Sequence, residues 1–285
     1  MSYLAKVYDF LIRNNYSRDC VIFGVGGGIT CDMTGFIAST FLRGVNFVLV
    51  PTTLLSQVDA SIGGKTGVNH KGFKNMIGTF NQPVQVIIDT KFLKSLSKLE
   101  IQCGLMEVIK HGLISDKSFF VWLEKNLKEI LSLKTQFIER AIKRSIEIKA
   151  DVVSKDEKEN GLRAILNFGH TFGHALETIG NNKLYTHGEA VALGMLAATK
   201  LSESISDLDP KVFDRVHSTI KNTGIKVKLK KKIFPKKLIK LMQSDKKKNN
   251  SQLKFILLEK IGKAKIKSVS NEVTIENAIK NSLFY

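Results

Sequence analysis

Two periods of hydrophobicity divide the chain. Up to about residue 98, short apolar runs, CVIFGV (20–25), NFVLVP (46–51) and VQVIID (84–89), alternate with segments of helical period at 3–14 and 29–42. Strand-length apolar runs separated by helices predict a parallel sheet flanked by helices. From Leu99 onward, apolar residues recur every three or four positions through 99–114, 117–132, 136–154, 169–180, 187–205 and 211–222. That spacing predicts amphipathic helices and a second, mainly helical domain. Residues 253–269 read as a hairpin turning at Gly262, and TIENAIKNSLF (274–284) as a closing helix. Two domains, 1–98 and 99–285, are expected, with no repeat and no long linker.

Composition narrows the class. With 285 residues, 43% of them hydrophobic, the chain can bury a substantial core and has no disordered or fibrous signature. Its three cysteines, Cys20, Cys31 and Cys103, are odd in number and far apart, so no disulfide framework or zinc ribbon is expected, and a reducing cytoplasm is. No apolar run approaches the roughly 20 residues that span a bilayer. Lys6, Asp9, Arg13, Arg18 and Asp19 interrupt the start in a way unlike a signal peptide. The expectation is a soluble cytoplasmic protein with no membrane partner.

The net charge of +18 fits nucleic acid, an anionic small substrate or simply a solvated lysine-rich surface. The densest basic stretches, 226–240 and 245–250, hold a single aromatic, Phe234, which is poor material for base stacking. A nucleic-acid partner is therefore not expected.

Four segments carry candidate chemistry. In VIFGVGGGITCD a strand ends in Gly26, Gly27 and Gly28 and runs into a helix, where amide groups and the helix dipole favour an anion. Ile29 stands where a third fingerprint glycine would fall, so a nucleotide turn and a purely structural turn both remain open. Residues 50–78 set Asp59, Lys65, Lys74 and Asn75 among four glycines, either a loop shaped around an anionic ligand or a solvated connection. In GLMEVIKHG, spacings of three and four put Glu107, Lys110 and His111 along one side of a helix, as a functional group or an intrahelical salt bridge. Finally, NFGHTFGHALETIGNNKLYTHGE (167–189) holds three of the six histidines. His170 and His174 share a helix face as metal-binding histidine pairs do, but no glutamate base lies between them. With His187 and a distant carboxylate they could form a divalent-metal site or be satisfied core histidines. Arg163 and Asn167 add anion-binding groups just upstream.

Together, GGGITCD, the run from FLRGVNFVLVP to GTFNQP, GLMEVIKHG, KADVVSKDE, GLRAILNFGHTFGHALE and HGEAVALGM resemble, in order and spacing, the 3-dehydroquinate synthases, sugar-phosphate cyclases of the shikimate pathway. The resemblance covers nearly the whole chain. It implies an α/β, Rossmann-like NAD-binding domain followed by a mainly α-helical metal-binding domain, with the active site between them. It implies a divalent metal, zinc or cobalt, on Glu107, His170 and His187, with His174 turned instead to the substrate. The substrate would be an anionic sugar phosphate, 3-deoxy-D-arabino-heptulosonate 7-phosphate. Its phosphate would lie near Arg43, Lys74, Asn75, Lys110, Asn167, His174 and a late lysine, Lys246 or Lys247, and Asp59, Lys65, Lys149 and Arg163 would complete the pocket. NAD would lie on Gly28, Ile29, Thr30, Cys31, Asp32, Thr52, Thr53, Lys65, Lys74, Phe92, Leu93, Lys94 and Ser95. The implied reaction is transient oxidation by NAD, phosphate elimination, return of the hydride and an intramolecular aldol closure to 3-dehydroquinate, on the route to chorismate and the aromatic amino acids. A homodimer is implied as well.

Two features depart from that pattern. Family members carry roughly 75 further residues ahead of the segment corresponding to Met1, with an acidic DGExxK motif, so a sheet edge and apolar surface are expected to be uncovered here. Cys31 stands where the family's glycine loop has glycine and is expected to crowd the approach to pyrophosphate. Impaired NAD binding with an intact metal site is one alternative. Others are a related cyclase making an inosose or valiolone, a basic binding protein without catalysis, and an NAD- and metal-dependent alcohol dehydrogenase.

Overall fold

The computed structural model describes residues 2–70, 73–180, 183–245 and 252–283. The N-terminal part opens with helix α1 (Ser2–Arg13), strand β1 (Val21–Gly26), helix α2 (Gly28–Thr40) and strand β2 (Asn46–Pro51). β1 pairs with β2 in parallel, Val21 opposite Asn46 through Gly26 opposite Pro51. The run VQVIID supplies only Gln85–Val86 (β5) as the third parallel strand. The Ile87 amide still donates to the Leu49 carbonyl before the chain turns into a 3₁₀ turn, Thr90–Ser95, capped by Asp89. α2 packs on the sheet with α1, and Leu4, Leu11, Ile37, Phe41, Phe47 and Leu49 form the smaller core. β1 is an edge strand whose Val21, Phe23 and Val25 are exposed on the sheet face away from that core.

The hydrophobic pattern did not disclose the antiparallel hairpin β3 (Lys65–His70) and β4 (Phe73–Phe80) inside the glycine-rich stretch. Glycines and lysines there blur the period of two, and the pairing is held by ladder contacts such as Gly67 opposite Gly78.

The helical part comprises α3 (Lys98–Ser115), α4 (Lys117–Leu131), α5 (Thr135–Lys155), α6 (His170–Ile179), α7 (His187–Ser206), α8 (Lys211–Asn222) and α9 (Pro235–Asp245). A hairpin, β6 (Leu253–Lys260) and β7 (Lys263–Val269), and the closing helix α10 (Glu272–Leu283) complete it. α9 lies in the stretch read as merely basic. Its lysines mask Leu238, Ile239 and Met242, which share one face and are buried. Leu54, Val58 and Leu93 from the N-terminal part pack into the large core of these helices, which ties the sheet to the helical layer.

Every residue from Ile101 to Ile114 in α3 is buried. A helix enclosed on all sides must be apolar all round, so each polar group on it needs a specific partner. That places Glu107, Lys110 and His111 at the centre of the molecule.

Candidate active site

The Glu107 side chain is fully buried, and the Lys110 ammonium one helical turn on sits against its Oε2. The intrahelical pair suggested by sequence is therefore present. Glu107 Oε1 faces elsewhere: His187 Nε2 lies 3.4 Å from it and His170 Nε2 3.6 Å. Neither Glu107 oxygen accepts a hydrogen bond of ordinary geometry among the described residues. Two atoms each about 2.1 Å from a tetrahedral cation stand about 3.4 Å apart, close to these separations. One ligand atom from each of Glu107, His170 and His187 lies within 4.8 Å of the others, so the donor set and its spacing fit a divalent cation.

Neighbouring groups aim both imidazoles. His170 begins α6, and its Nδ1 lies 3.3 Å from the Phe168 carbonyl oxygen. His187 begins α7 behind a capping box in which Thr186 and Glu189 satisfy each other's backbone amides. Its Nδ1 lies 3.3 Å from Glu177 Oε1. Burial lowers the pKa of His170 to about 3 in spite of Glu107. For His187 burial acts in the same direction, but hydrogen bonds to Glu107 and Glu177 outweigh it and raise the value to about 9. His174 is exposed, and its ring stands edge-on to His170 with centroids 5.4 Å apart, outside the three-residue group.

A second set, Asp59, Glu107 and His111, is equally close-packed. It suits a cation less well, because its other two members are already engaged: Asp59 by Lys149 and His111 by Ser145. Lys149 Nζ donates to Asp59 Oδ1 at 2.6 Å and to the Asp59 carbonyl at 2.5 Å, while Lys110 holds Glu107. His111 Nδ1 is occupied by Ser145 Oγ at 2.5 Å. Burial lowers the Lys149 pKa in spite of Asp59, and against its own burial Asp59 is held below the usual carboxylate range by Lys149 and Lys110. Asp32, just past the first turn of α2, is raised to about 7 by burial and by the charge of Asp59. Three buried cations, Lys110, Lys149 and Arg163, thus stand around a few carboxylates, an arrangement able to receive an anionic ligand.

Arg163 joins the two halves. Its Nη2 donates to the Gly63 carbonyl at 2.8 Å, and a Cβ on Gly63, whose φ is +100°, would come within 2.7 Å of that nitrogen. The paired glycines of the stretch 50–78 therefore let the loop close around the guanidinium. Asp156 shapes the approach to Arg163 by accepting the backbone amides of Asn160, Gly161 and Arg163 at 2.8, 2.8 and 2.9 Å. Sequence reading missed Glu159. Its Oε1 accepts a hydrogen bond from Asn167 at 2.6 Å and its Oε2 holds Lys65, linking two candidate residues from opposite sides of the site. The only signal was an acidic residue in the polar run KDEKENG, a composition that marks any exposed loop.

The glycine turn has the features of an anion cradle. Gly27 caps α2 without any side-chain acceptor, which leaves the amides that follow without a cap. Thr52 donates its amide to the Gly26 carbonyl, and Cβ atoms on Gly27 and Gly28 would stand 3.3 Å from Thr53 and 3.2 Å from Ala60, so the glycine turn and Thr52–Thr53 are close neighbours. Ile29 is exposed at the same end, beside Thr30. Gln57 bridges the Pro51 and Asp89 carbonyls and so fixes the turn carrying Phe92, Lys94 and Ser95, in which Leu93 is buried in the large core. The Cys31 thiol is buried in the smaller core, with Sγ 3.9 Å from the Gly26 carbonyl oxygen.

Some candidates are not gathered here. Arg43 is exposed beyond the C-terminal end of α2, a helix length away from Gly28, in a left-handed conformation with φ +64°. Asn75, also left-handed, is exposed on the β3–β4 hairpin. The Lys74 side chain and Lys246 and Lys247 lie outside the described residues.

Residues 1–103 match the family described as 3-dehydroquinate synthase N-terminal, and residues 104–248 match 3-dehydroquinate synthase C-terminal. The 3-dehydroquinate synthase of Thermoanaerobacter pseudethanolicus is 45% identical over 269 residues, covering 94% of this chain and 74% of that protein. Among solved structures, 2-epi-5-epi-valiolone synthase from Streptomyces hygroscopicus subsp. jinggangensis, with NAD+ and Zn2+ bound, superposes with a TM-score of 0.90 at 26% identity, covering 99% of this chain and 78% of the other. A 2-deoxy-scyllo-inosose synthase complexed with carbaglucose-6-phosphate, NAD+ and Co2+ gives a TM-score of 0.89 at 27% identity, covering 99% and 79%.

Proposed function

The chain belongs to the 3-dehydroquinate synthase family, and from that premise we propose that it converts 3-deoxy-D-arabino-heptulosonate 7-phosphate to 3-dehydroquinate and phosphate, with NAD and one divalent metal as cofactors. The reading rests above all on one observation: Glu107, His170 and His187 converge beside the buried cations Lys110, Lys149 and Arg163. NAD+ with Zn2+ or Co2+ in the two cyclases of similar structure supports the cofactor assignment. We take the N-terminal residues 1–98 as the nucleotide side and 99–285 as the metal and substrate side.

In this reading Glu107, His170 and His187 would hold the cation, which would supply Lewis-acid polarisation of the substrate's hydroxyl groups. NAD, along the Gly28, Thr52 and Thr53 wall and the 92–95 turn, supplies a hydride acceptor that is restored within each turnover. The protein's own work is positioning and electrostatic stabilisation. Lys110, Lys149 and Arg163 are buried and held in place before substrate arrives, so they meet the charge of the phosphate and carboxylate with little reorganisation. Asn167 and His174 would contact the departing phosphate, and Lys65 would complete the pocket beside them. Glu159, which holds both Lys65 and Asn167, must yield at least one of them when substrate enters. Arg43, remote from its own site, reaches substrate only in an assembly of two chains, in keeping with a homodimer.

Phosphate release from 3-deoxy-D-arabino-heptulosonate 7-phosphate, in the presence of NAD and zinc or cobalt and without accumulation of NADH, tests the assignment. Release from sedoheptulose 7-phosphate alone would move the chain to the valiolone branch, and net NADH formation would make it a dehydrogenase.

A further inference from the structure

Glu177 is 5% exposed, lies two helical turns beyond His170 on the same face of α6, and directs Oε1 to His187 Nδ1 at 3.3 Å. The opposite nitrogen of that ring, Nε2, faces Glu107 Oε1. The two candidate ligand histidines are thus anchored differently: His170 by the Phe168 carbonyl of its own chain segment, His187 by a buried carboxylate from another helix. A side chain is needed at His187 because it is the first residue of α7, preceded by a loop, and its ring is 31% exposed.

We propose that Glu177 is a positioning residue for the metal site: by accepting the Nδ1–H of His187 it fixes the tautomer that leaves Nε2 free for the cation, and so sets metal affinity. The inference rests on the metal reading given above. A carboxylate behind a ligand histidine holds the ring's orientation and makes its free nitrogen a better donor. Because α6 carries both His170 and Glu177, one rigid helix aims both imidazoles at Glu107.

The test uses the full chain, stripped of metal with a chelator and titrated with Co2+ while its visible absorption and affinity are followed. Glu177→Ala should weaken Co2+ binding about 10–100-fold, and the nearly isosteric Glu177→Gln, which keeps an acceptor but loses the charge, should weaken it by less. The Co2+ spectrum should also shift in both variants. His187→Ala should weaken Co2+ binding more than either Glu177 variant does, and the weak affinity that Glu107 and His170 retain at high Co2+ should not fall further when Glu177→Gln is added, because the ring it acts through is gone. Unchanged affinity and spectrum in both single variants would overturn the proposal, as would an equal loss from Glu177→Gln with and without His187. If the wild-type chain takes up no Co2+, the metal reading itself fails, a result distinct from wild-type binding with an indifferent Glu177.

Discussion

The carbonyl oxygen of Gly169 packs directly against Cα of Gly194: a Cβ added at Gly194 would stand 2.0 Å from that oxygen. Gly169 caps α6 immediately before His170, and Gly194 lies two turns into the helix that begins with His187. The close approach of α6 and α7, and with it the meeting of the two histidines, depends on the missing side chain. Gly194→Ala should therefore cost at least the usual overpacking penalty, about 1–3 kcal/mol, and also lower the amount of metal retained. Denaturant unfolding and metal analysis of the purified variant check both; wild-type values in each would show that α7 adjusts without disturbing the site.

Spacing within the sequence pairs His170 with His174, whereas the fold pairs His170 with His187 and Glu107. His187→Ala should lose metal, and His174→Ala should retain it while losing turnover. Metal analysis and phosphate-release assays on the two proteins decide the matter. Loss of metal in His174→Ala with retention in His187→Ala would restore the pair suggested by spacing.

Asp156 should make the approach to Arg163 sensitive to acid. The backbone amides of Arg163 and Asn160, followed by that of Gly161, stabilise its carboxylate and lower its pKa from the ordinary 3.8. A carboxyl group with a depressed folded value stabilises the native state fully above its unfolded pKa, and the contribution disappears as pH falls through the folded value. Hydrogen-exchange protection of segment 156–163, taken relative to the intrinsic rate at each pH, should be high at neutral pH and fall below about pH 4. Asp156→Ala should show low protection at both. A pH-independent difference between wild type and variant across that range would count against the account.

Cys31 should matter for stability more than for nucleotide binding. Its thiol is 2% exposed, and burial, with the nearby Asp32 charge, pushes its pKa up to about 12. Cys31→Gly places glycine in the first turns of α2 and empties part of the smaller core, which should cost about 1 kcal/mol from helix propensity alone, with a packing loss in addition. NAD affinity measured by calorimetry should change little. A tenfold gain in affinity would show that this side chain does obstruct the pyrophosphate approach.

Local chemistry was legible in the sequence because it is local. The glycines after β1, the apolar runs of the sheet, the long helical periods and the Glu107–Lys110 pair all follow from residues within a few positions of one another. The β3–β4 hairpin and α9 were hidden where lysine and glycine density covers the apolar period, so that packing against the rest of the molecule, not local pattern, selects the structure. Glu159 and Glu177 were hidden for a related reason: an acidic residue in a polar loop or on a helix looks the same whatever it faces.

By itself the sequence determined the repertoire: two patterns of secondary structure, an anion-favouring glycine turn, three polar residues along one side of an apolar helix, and a histidine-rich segment whose family resemblance already named three metal residues. Only the tertiary structure decided which of these groups meet. His170 and His174 share a helix by spacing, but Glu107 comes from α3 and His187 from α7. Their convergence is fixed by the contacts of Gly188 with Cys103 and of Gly194 with Gly169, each too close for a Cβ. Spacing along one helix fixes which side chains share a face; close packing between helices fixes what that face meets.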